Sequence, residues 1–297
     1  MKNRLEKFNI NWEKANCHIC SSQSSPEPLR LYGRPLTTGQ FGYQINPVIC
    51  QCGLVYLNPR WTSQTYDYFY KHYYDELYRL ELKPDYGIQG VINNMVQVWK
   101  RTKHNPITNK ISTILDIGCG SGYGLNYLKK KVPEASIFGI EASPDCCDIF
   151  RNKISGILID TDINGPWADN YKGYFNFIIM RHVAEHLLTP VDSFKRIKKA
   201  LAPNGIIYMA VPDMMHPRTV LRDYNKWWEY YFRAVHPYYY SKDTFFATLR
   251  AAGLYPCAYG EENEELWCLV SHKDHGIGFS KNIYKKQKEI LKKYLPQ

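Results

Sequence analysis

A glycine-rich turn directly after a short apolar run constrains this chain more than any other feature. The segment ILDIGCGSGYG puts Asp116 near the end of a predicted strand and Gly118, Gly120 and Gly122 in the turn that follows. Glycine lets the backbone approach a ligand closely and adopt dihedral angles that other residues avoid. In open parallel sheets the ligand lies beyond the carboxyl ends of the strands, where this turn falls. The spacing alone is also compatible with a dinucleotide site.

After Pro106, short apolar runs alternate with helical segments. The first five predicted strands are residues 112–117, 136–140, 156–159, 175–180 and 205–211. Two more, near 254–259 and 266–271, follow a helix predicted between Ser241, a suitable N-cap, and Gly253, a suitable C-terminal glycine. The alternation predicts an α/β fold, a doubly wound and mostly parallel seven-stranded sheet of the Rossmann type with helices on both faces.

Glu141 ends the second predicted strand, about twenty residues after the glycine turn. A carboxylate at that position can accept hydrogen bonds from both hydroxyls of a ribose. Together the turn and the acid predict a ligand that contains a ribose. The alternative is a nucleotide-free doubly wound domain in which the glycine turn is coincidental.

Four of the nine cysteines lie in two close pairs near the N-terminus, Cys17 with Cys20 and Cys50 with Cys52. Four thiolates in this arrangement can close a tetrahedral Zn²⁺ site and stabilise residues 1–62, which otherwise look like loops and turns without a core. The alternatives are buried free thiols, or His18 in place of Cys50. Because no export signal is present and nine is an odd number, we expect reduced thiols in the cytoplasm rather than disulfides.

The run ILDIGCGSGYG, with an acid at the end of the next strand, resembles the first two motifs of class I S-adenosylmethionine-dependent methyltransferases. The resemblance extends to FNFIIMRHVAEHL at strand four and LAPNGIIYMAVP at strand five, and it covers about residues 111–271. It implies an enzyme that uses S-adenosylmethionine as methyl donor. In LAPNG, Asn204 stands where the family has glycine, and we expect it to adopt left-handed dihedral angles.

The same resemblance assigns the residues that bind the donor. They are Asp116, Gly118, Gly120, Gly122, Glu141, Asp162, Ile163 and Arg181. Among them, Glu141 is expected to hold the ribose, and Asp162 and Ile163 are expected to lie beside the adenine.

The cysteine pairs, with CGLVYLNPR ahead of the methyltransferase core, resemble one branch of that family. This branch contains the zinc-dependent sugar C-methyltransferases of deoxysugar pathways and their relatives in polysaccharide clusters. The resemblance implies Zn²⁺ bound by Cys17, Cys20, Cys50 and Cys52, in a module that lies against the catalytic domain and helps close over the substrate. The two cysteines of the second pair are separated by one residue here, one fewer than in the branch.

Methyl transfer to a hydroxyl, or to a carbon beside a ketone, needs a base that removes a proton from the acceptor. Histidine suits this role because its unperturbed pKa lies near neutral pH. His186 follows strand four and is therefore expected at the donor edge of the sheet. The branch's EHxxxFS pattern matches VHPYYYS, which implies His236 as the base with Tyr240 beside it. Val235 replaces the glutamate of that pattern, so O-methylation and C-methylation are both open.

Two other groups of residues accompany the histidines. Glu185 is expected to be a structural acid that accepts hydrogen bonds from backbone donors. Tyrosines cluster in residues 66–74 and, with tryptophans, in residues 227–240, where they suit a roof over a sugar. A tyrosine-rich stripe at helical spacing is more often core packing, so only Tyr73 and Tyr74 are named as candidates.

The chain carries 38 Lys and Arg against 28 Asp and Glu, a formal charge of +10. This charge favours an anionic partner such as nucleic acid, a nucleotide sugar or a membrane surface, without choosing among them. No apolar run approaches the length of a membrane span. The leading hypothesis is methyl transfer to a sugar, nucleotide sugar or glycan precursor. The alternatives are an RNA methyltransferase with a zinc knuckle, against which the scattered basic residues argue, and a non-catalytic S-adenosylmethionine-binding module.

These features divide the chain into four predicted parts. Residues 1–62 are expected to form a zinc-binding module, and 63–104 a helical cap or linker. Residues 105–275 are expected to form the methyltransferase domain, with an aromatic insertion at 213–240. Residues 276–297 form a predicted basic helix, which is expected to be a solvated surface element.

Overall fold

The structure is a computed structural model. It describes the backbone of residues 9–20, 25–31, 34–35, 37–79, 87–104, 111–215, 231–262, 264–280 and 282–294. Side chains are described in the same ranges except at residues 30, 31, 34, 35 and 291–294. Most of the predicted aromatic insertion, including Trp227, Trp228 and Tyr230, lies outside the described residues.

Short strands dominate the N-terminal part of the described chain. They are β1 (Trp12–Glu13), β2 (Glu27–Pro28), β3 (Arg30–Leu31), β4 (Arg34–Pro35), β5 (Pro47–Ile49), β6 (Val55–Leu57) and β7 (Arg60–Trp61). β5 and β6 form an antiparallel hairpin in which every strand residue is buried. β2 pairs with the outer edge of β5, and β1 pairs with β7.

Helices occupy most of the described part of residues 63–104. They are α1 (Ser63–His72), α2 (Tyr74–Tyr78) and α3 (Gly87–Thr102). Thr62 caps α1, because its side-chain oxygen accepts a hydrogen bond from the N–H of Thr65. No helix in the described part of the chain has both the length and the apolar character that crossing a bilayer requires.

The remaining elements follow from residue 113 onward. The strands are β8 (Thr113–Ile117), β9 (Ser136–Ile140), β10 (Ile157–Leu158), β11 (Phe175–Arg181), β12 (Leu201–Pro212), β13 (Tyr238–Tyr239), β14 (Tyr255–Glu262) and β15 (Glu265–Ser271). The helices are α4 (Tyr123–Lys131), α5 (Pro144–Lys153), α6 (Pro190–Ala200), α7 (Lys242–Ala251) and α8 (Ile283–Tyr294).

Seven of these strands form one sheet, in the order β10-β9-β8-β11-β12-β15-β14, and β15 runs antiparallel to both of its neighbours. The predicted mostly parallel, seven-stranded Rossmann-like sheet is therefore confirmed. The chain moves outward from β8 to β10 and then returns to the other side of β8 as β11. The carboxyl ends of β8 and β11 thus flank the point where the strand order reverses, the usual ligand site of such sheets.

Apolar side chains cover both faces of this sheet. Along β11, Ile178 and Met180 join the cluster on one face, whereas Phe177 and Ile179 join the cluster on the other. Successive side chains of a strand point to opposite faces, so a strand covered on both sides must be apolar throughout. This burial explains why the segment is a continuous apolar run in the sequence.

The expectation that residues 1–62 lack a core is wrong for their described part. Ile45, Leu54 and Val55 are fully buried, and Trp61 is 1% exposed. β6 pairs with β13, so a four-stranded sheet, β13-β6-β5-β2, joins this segment to the end of the predicted aromatic insertion. Its apolar runs of three or four residues are too short to show a periodicity, and their burial depends on residues distant in the sequence, among them Phe69 of α1 and Phe232.

The turn before the main part of β12 also differs from expectation. Asn204 is not among the residues with a positive φ, so the prediction of left-handed angles there is wrong. The adjacent Gly205 carries the constraint instead. A Cβ at this position would lie 2.8 Å from the carbonyl oxygen of Phe175, which leaves no room for a side chain.

The prediction that the C-terminal helix α8 is a solvated surface element is wrong for one of its faces. Gln287 is 3% exposed, and its side-chain amide donates a hydrogen bond to Oγ of Ser241 at 2.6 Å. A Cβ on Gly53 would lie 2.6 Å from Cγ2 of Ile283. One face of α8 therefore packs against the start of α7 and against the loop that carries the second cysteine pair.

Candidate functional site

The glycine-rich turn connects β8 to α4 at the carboxyl edge of the sheet. Gly118, Gly120 and Gly122 have positive φ angles of 77°, 56° and 80°, a region that favours glycine. The N–H of Gly118 donates to the carbonyl oxygen of Ile140 at 2.8 Å, which joins the turn to the end of β9. A Cβ on Gly118 would lie 2.5 Å from Cγ2 of Val183, so the turn also touches the segment after β11.

Glu141 follows β9 directly and is 8% exposed. Its Oε2 accepts a hydrogen bond from the N–H of Gly120 at 2.8 Å. Its Oε1 accepts hydrogen bonds from the N–H groups of Ala142 and Ser143, each at 2.8 Å. The guanidinium of Arg79, which follows α2, forms an ion pair with the same carboxylate. Glu141, the residue predicted to hold the ribose, therefore contacts the glycine turn, the residues directly after β9, and Arg79, which follows α2.

Arg79 is a site residue that the sequence analysis does not identify, because it belongs to no motif. Asp75, one helical turn earlier, lies 3.2 Å from Nε of Arg79 and accepts a hydrogen bond from Oγ of Ser143 at 2.5 Å. These contacts hold the end of α2 over the turn between β9 and α5. A ribose that binds Glu141 must therefore displace Arg79 or share the carboxylate with it.

The other predicted donor-binding residues lie near the carboxyl ends of β8, β10 and β11, in different environments. Asp116, within β8, is 6% exposed. In the loop after β10, Asp162 is exposed and Ile163 is partly buried. Arg181 ends β11 with Nη2 2.6 Å from Oε2 of Glu265 on β15, so its guanidinium is already engaged in an ion pair. Contacts of these residues with a donor stay predictions.

A cluster of two histidines and a carboxylate lies just beyond the end of β11. A short 3₁₀ turn, Ala184–His186, carries Glu185 and His186, and His236 belongs to the loop before β13. The two imidazole rings are nearly perpendicular, with centroids 4.6 Å apart. One donor atom from each histidine and one oxygen of Glu185 all lie within 4.8 Å of one another. The structure thus brings together the two histidines that the sequence singles out separately.

Burial determines the charge state of this pair. It holds the pKa of His236 well below its usual value, and the neighbouring His186 and Arg233 act in the same direction. Burial also lowers the pKa of His186, although the carboxylate of Glu185 opposes the shift. Both imidazoles are therefore neutral at neutral pH and able to accept a proton.

Glu185 is 2% exposed, and its own backbone N–H is among the groups that lower the pKa of its carboxyl group, so a structural acid beside backbone donors stays a prediction. Neither of its oxygens accepts a hydrogen bond of normal geometry from the described residues, and Oε1 lies 3.4 Å from Nδ1 of His182. Burial alone would raise the pKa of Glu185, but His182 and His186 hold it below its usual value. The carboxylate is therefore a buried negative charge that faces imidazoles.

Tyrosines of α1 and α2 contact His186. The hydroxyl of Tyr70 lies 2.7 Å from Nδ1 of His186, and the ring centroid of Tyr74 lies 6.1 Å from that of His186. Tyr73, the other named candidate, stacks on Phe69 instead. The aromatic segment is visible in the sequence, but the tyrosine that contacts the histidine is identified only by the tertiary contact between α1 and the turn after β11.

Tyr240, the third predicted catalytic residue, is 1% exposed. Its ring packs against Tyr238 and Phe245, at centroid distances of 6.2 and 5.1 Å. Its hydroxyl has no hydrogen-bond partner among the described residues. Burial raises the pKa of Tyr240 well above its usual value, so the phenol stays protonated. A direct contact with the acceptor stays a prediction.

The four N-terminal cysteines converge in space. The Sγ atoms of Cys17 and Cys52 are 3.4 Å apart, those of Cys20 and Cys50 are 3.4 Å apart, and those of Cys17 and Cys20 are 3.7 Å apart. Four sulfurs at about 2.3 Å from a tetrahedral Zn²⁺ lie about 3.8 Å from one another. The donor set therefore fits zinc.

His18 does not belong to this cluster. Its Nε2 lies 2.9 Å from Oγ1 of Thr248 on α7, and its ring packs edge-on against Tyr238. The alternative in which His18 replaces Cys50 as a ligand is therefore wrong. The residue instead links the cysteine loop to α7 and to β13.

Asp213 directly follows β12, and its titration gives a testable prediction of how the stability of the protein depends on pH. The residue is 3% exposed, and burial raises its pKa to about 7. The folded protein keeps this proton to higher pH than the unfolded chain does, so stability is lost as pH rises from about 4 to about 7. We expect Asp213→Asn to raise the free energy of unfolding near pH 8 by up to about 4 kcal/mol, since one pKa unit corresponds to about 1.4 kcal/mol.

Urea unfolding at a series of pH values measures this effect, and the variant's stability should depend less on pH. Asp160→Asn is the matched control, because the side chain of Asp160 is 93% exposed. Parallel stability curves for Asp213→Asn and the unmodified protein would contradict the assignment.

Comparison with known families adds to this geometry. A family model described as a methyltransferase domain matches residues 84–258, more than half of the 297-residue chain. The chain belongs to this methyltransferase-domain family. Residues 84–258 are thus a class I S-adenosylmethionine-dependent methyltransferase domain, as the glycine turn and Glu141 predict.

Individual relatives of this methyltransferase-domain protein are distant. Trans-aconitate 2-methyltransferase from Acidovorax sp. (strain JS42) is 27% identical over 103 residues, which are 34% of this chain and 38% of that protein. The uncharacterized methyltransferase C1B3.06c from Schizosaccharomyces pombe is 25% identical over 128 residues, 39% of this chain and 45% of that one. The chain therefore spans about two fifths of the length of the curated relatives it matches.

Among solved structures, the PH0226 protein from Pyrococcus horikoshii OT3 superposes with a TM-score of 0.50 at 17% sequence identity. The superposition covers 67% of this chain and 98% of that one. At this level of identity the likeness shows the shared fold.

Proposed function

We propose that the protein transfers the methyl group of S-adenosylmethionine to a small-molecule acceptor, with the pair His186–His236 supplying the general base. The placement of this pair carries the proposal. His186 lies beyond β11, three residues after Val183, which packs against the glycine turn, and the ring of His236, from the loop before β13, lies 4.6 Å from that of His186. A base beside the donor turn suits an acceptor that loses a proton as it gains a methyl group.

The donor site of this proposal uses the residues at the carboxyl edge of the sheet. The glycine turn and Asp116 would line the donor, and Glu141 would accept hydrogen bonds from its ribose. Asp162 and Ile163 would border the adenine, and Arg181 would stand at the edge of the site. The buried carboxylate of Glu141, which accepts hydrogen bonds from three backbone N–H groups, supports this arrangement.

We propose a sugar, nucleotide sugar or glycan precursor as the acceptor, methylated on oxygen or carbon. Tyr70 and Tyr74 beside His186 support this class, because a tyrosine offers a flat apolar face and a hydroxyl to a sugar ring. The relatives named for trans-aconitate support a small acceptor in general. Tyr240 would lie beside the acceptor.

We propose that Cys17, Cys20, Cys50 and Cys52 hold a structural Zn²⁺. Four thiolates fill a tetrahedral coordination shell, so the metal would cross-link two loops rather than take part in the reaction. The sulfur separations of 3.4–3.7 Å support this role. Reduced thiols are available in the cytoplasm, where we expect the protein to act.

A screen of nucleotide sugars for methylated product by mass spectrometry tests the acceptor class. With an acceptor in hand, replacing His186 or His236 by alanine should lower kcat roughly 100-fold, the usual contribution of a general base. The Kd for S-adenosylmethionine should change by less than about two-fold, because neither imidazole is part of the proposed donor site. His104→Ala, at an exposed histidine, is the matched control.

Full turnover in both the His186 and the His236 variants would refute the histidine base. Donor binding without turnover of any acceptor would instead support a non-catalytic module.

A further inference from the structure

We propose that His186 takes the acceptor's proton at Nε2 and that Glu185 is its charge partner. This inference rests on the proposed methyl transfer, and it specifies which histidine acts and what stabilises the product of the proton transfer. In this scheme His186 touches the acceptor, and Glu185 is a positioning residue that works through His186.

The hydrogen bonds of His186 select one tautomer. Its Nδ1 lies 2.9 Å from the carbonyl oxygen of Val235 and 2.7 Å from the hydroxyl of Tyr70. A carbonyl can only accept, so the contact with Val235 places the ring proton on Nδ1, and the hydroxyl of Tyr70 can accept from the same N–H. Nε2 has no hydrogen-bond partner among the described residues, and in this tautomer it carries the lone pair. The base therefore acts through Nε2.

Methyl transfer moves a positive charge into this buried cluster. The acceptor's O–H bond breaks and its proton joins Nε2 of His186. An electron pair of the acceptor oxygen forms the new O–CH₃ bond, while the S–CH₃ bond breaks and its electron pair stays on sulfur. The sulfonium thus becomes a neutral thioether as the imidazole becomes an imidazolium, which later releases its proton to solvent.

A buried imidazolium without a partner is costly. Glu185 offers a carboxylate that is 2% exposed and whose two oxygens accept no hydrogen bond of normal geometry from the described residues. One oxygen of Glu185 lies within 4.8 Å of a ring nitrogen of each histidine, close enough for its charge to stabilise the imidazolium. The carboxylate therefore stabilises the state that exists only after proton transfer has begun, which is the condition for catalysis.

The surrounding groups distinguish the two histidines. Glu185 favours the protonated form of His186, and Arg233 and His182 oppose it. Around His236, burial, His186 and Arg233 all oppose protonation. His186 is also half-buried, whereas His236 is only 5% exposed.

Tyr70 of α1 and Tyr74 of α2 add no charge to the histidine cluster, because burial raises the pKa of both phenols and keeps them protonated. The cation therefore forms on His186, and His236 stays neutral beside it.

The first test measures the tautomer in the wild-type protein. Histidine ring ¹⁵N NMR of the full chain, with the His186 signals assigned by their loss in His186→Ala, reports which ring nitrogen carries the proton. We expect a protonated Nδ1 and an unprotonated Nε2. A neutral ring with its proton on Nε2 would overturn the proposal, and this measurement needs neither an acceptor nor turnover.

The second test is Glu185→Gln, which keeps the size of the side chain and removes its charge. We expect the pKa of His186 to fall by about one unit or more, because a nearby negative charge favours the imidazolium. We expect kcat to fall about 10- to 100-fold, with the Kd for the donor within about two-fold of its original value. Glu134→Gln, at an exposed glutamate, is the matched control and should leave all three quantities unchanged.

The pH profile separates this role from a structural one. Because kcat rises as the base loses its proton, the rising limb should move to lower pH in Glu185→Gln. A variant that is less stable but keeps both the pKa of His186 and the position of this limb would overturn the proposal. Full turnover in the His186 and His236 variants would instead remove the proposed function itself, so the two failures are distinguishable.

Discussion

Replacing Glu141 by alanine is expected to raise the Kd for S-adenosylmethionine at least 100-fold. The carboxylate is the meeting point of the glycine turn, the end of β9 and Arg79. Two hydrogen bonds from ribose hydroxyls to a charged group, at about 1.5 kcal/mol each, correspond to roughly a 100-fold change in affinity. Isothermal titration calorimetry with the donor and with its demethylated product measures the effect.

Two variants make this experiment specific. Glu141→Gln keeps an acceptor oxygen for the backbone N–H groups but loses the charge, so its Kd should lie between those of the unmodified protein and of Glu141→Ala. Glu134→Ala, at an exposed glutamate, should bind the donor normally. If Glu141→Ala binds the donor as tightly as the unmodified protein does, the ribose does not lie at this carboxylate.

Replacing Cys50 by serine is expected to have the largest effect on stability. Structural zinc sites of this kind contribute an apparent binding free energy on the order of 10 kcal/mol to the folded state. The cysteine loops also belong to the same apolar cluster as Leu54, Tyr56 and Tyr238. We expect bound zinc to fall from about one ion per chain to none, since three remaining thiolates leave the shell open. We expect the Tm to fall by more than about 10 °C.

Elemental analysis and thermal unfolding measure these two effects. Cys257→Ser is the matched control, because Cys257 is partly buried on β14, outside the cluster. A Cys50→Ser protein with an unchanged zinc content and Tm would contradict a metal at this site. We also expect methyl-transfer activity to fall as zinc is lost. Cys50 and Cys52 lie between β5 and β6, β6 pairs with β13, and β13 directly follows the loop that carries His236.

Local patterns in the sequence are sufficient to predict the architecture of the methyltransferase domain. A strand that is buried on both faces must be apolar throughout, and a backbone that turns sharply beneath a ligand must use glycine. Both requirements act within a few consecutive residues, so β8, its turn and β11 are visible without any knowledge of tertiary contacts. Glu141 is visible for the same reason, because its distance along the chain from the glycine turn is set by one β-α-β unit.

Tertiary structure alone decides how the candidate site is assembled. The core of the N-terminal segment depends on β13, and the ion pair of Arg79 with Glu141 depends on where α2 packs. The sequence places His186 and His236 in separate segments, and only the fold puts their rings 4.6 Å apart with Glu185 beside them. These contacts join residues from distant parts of the chain. Their energies come from burial and from pairing of charges in a shared low-dielectric environment, and no local pattern of residues records them.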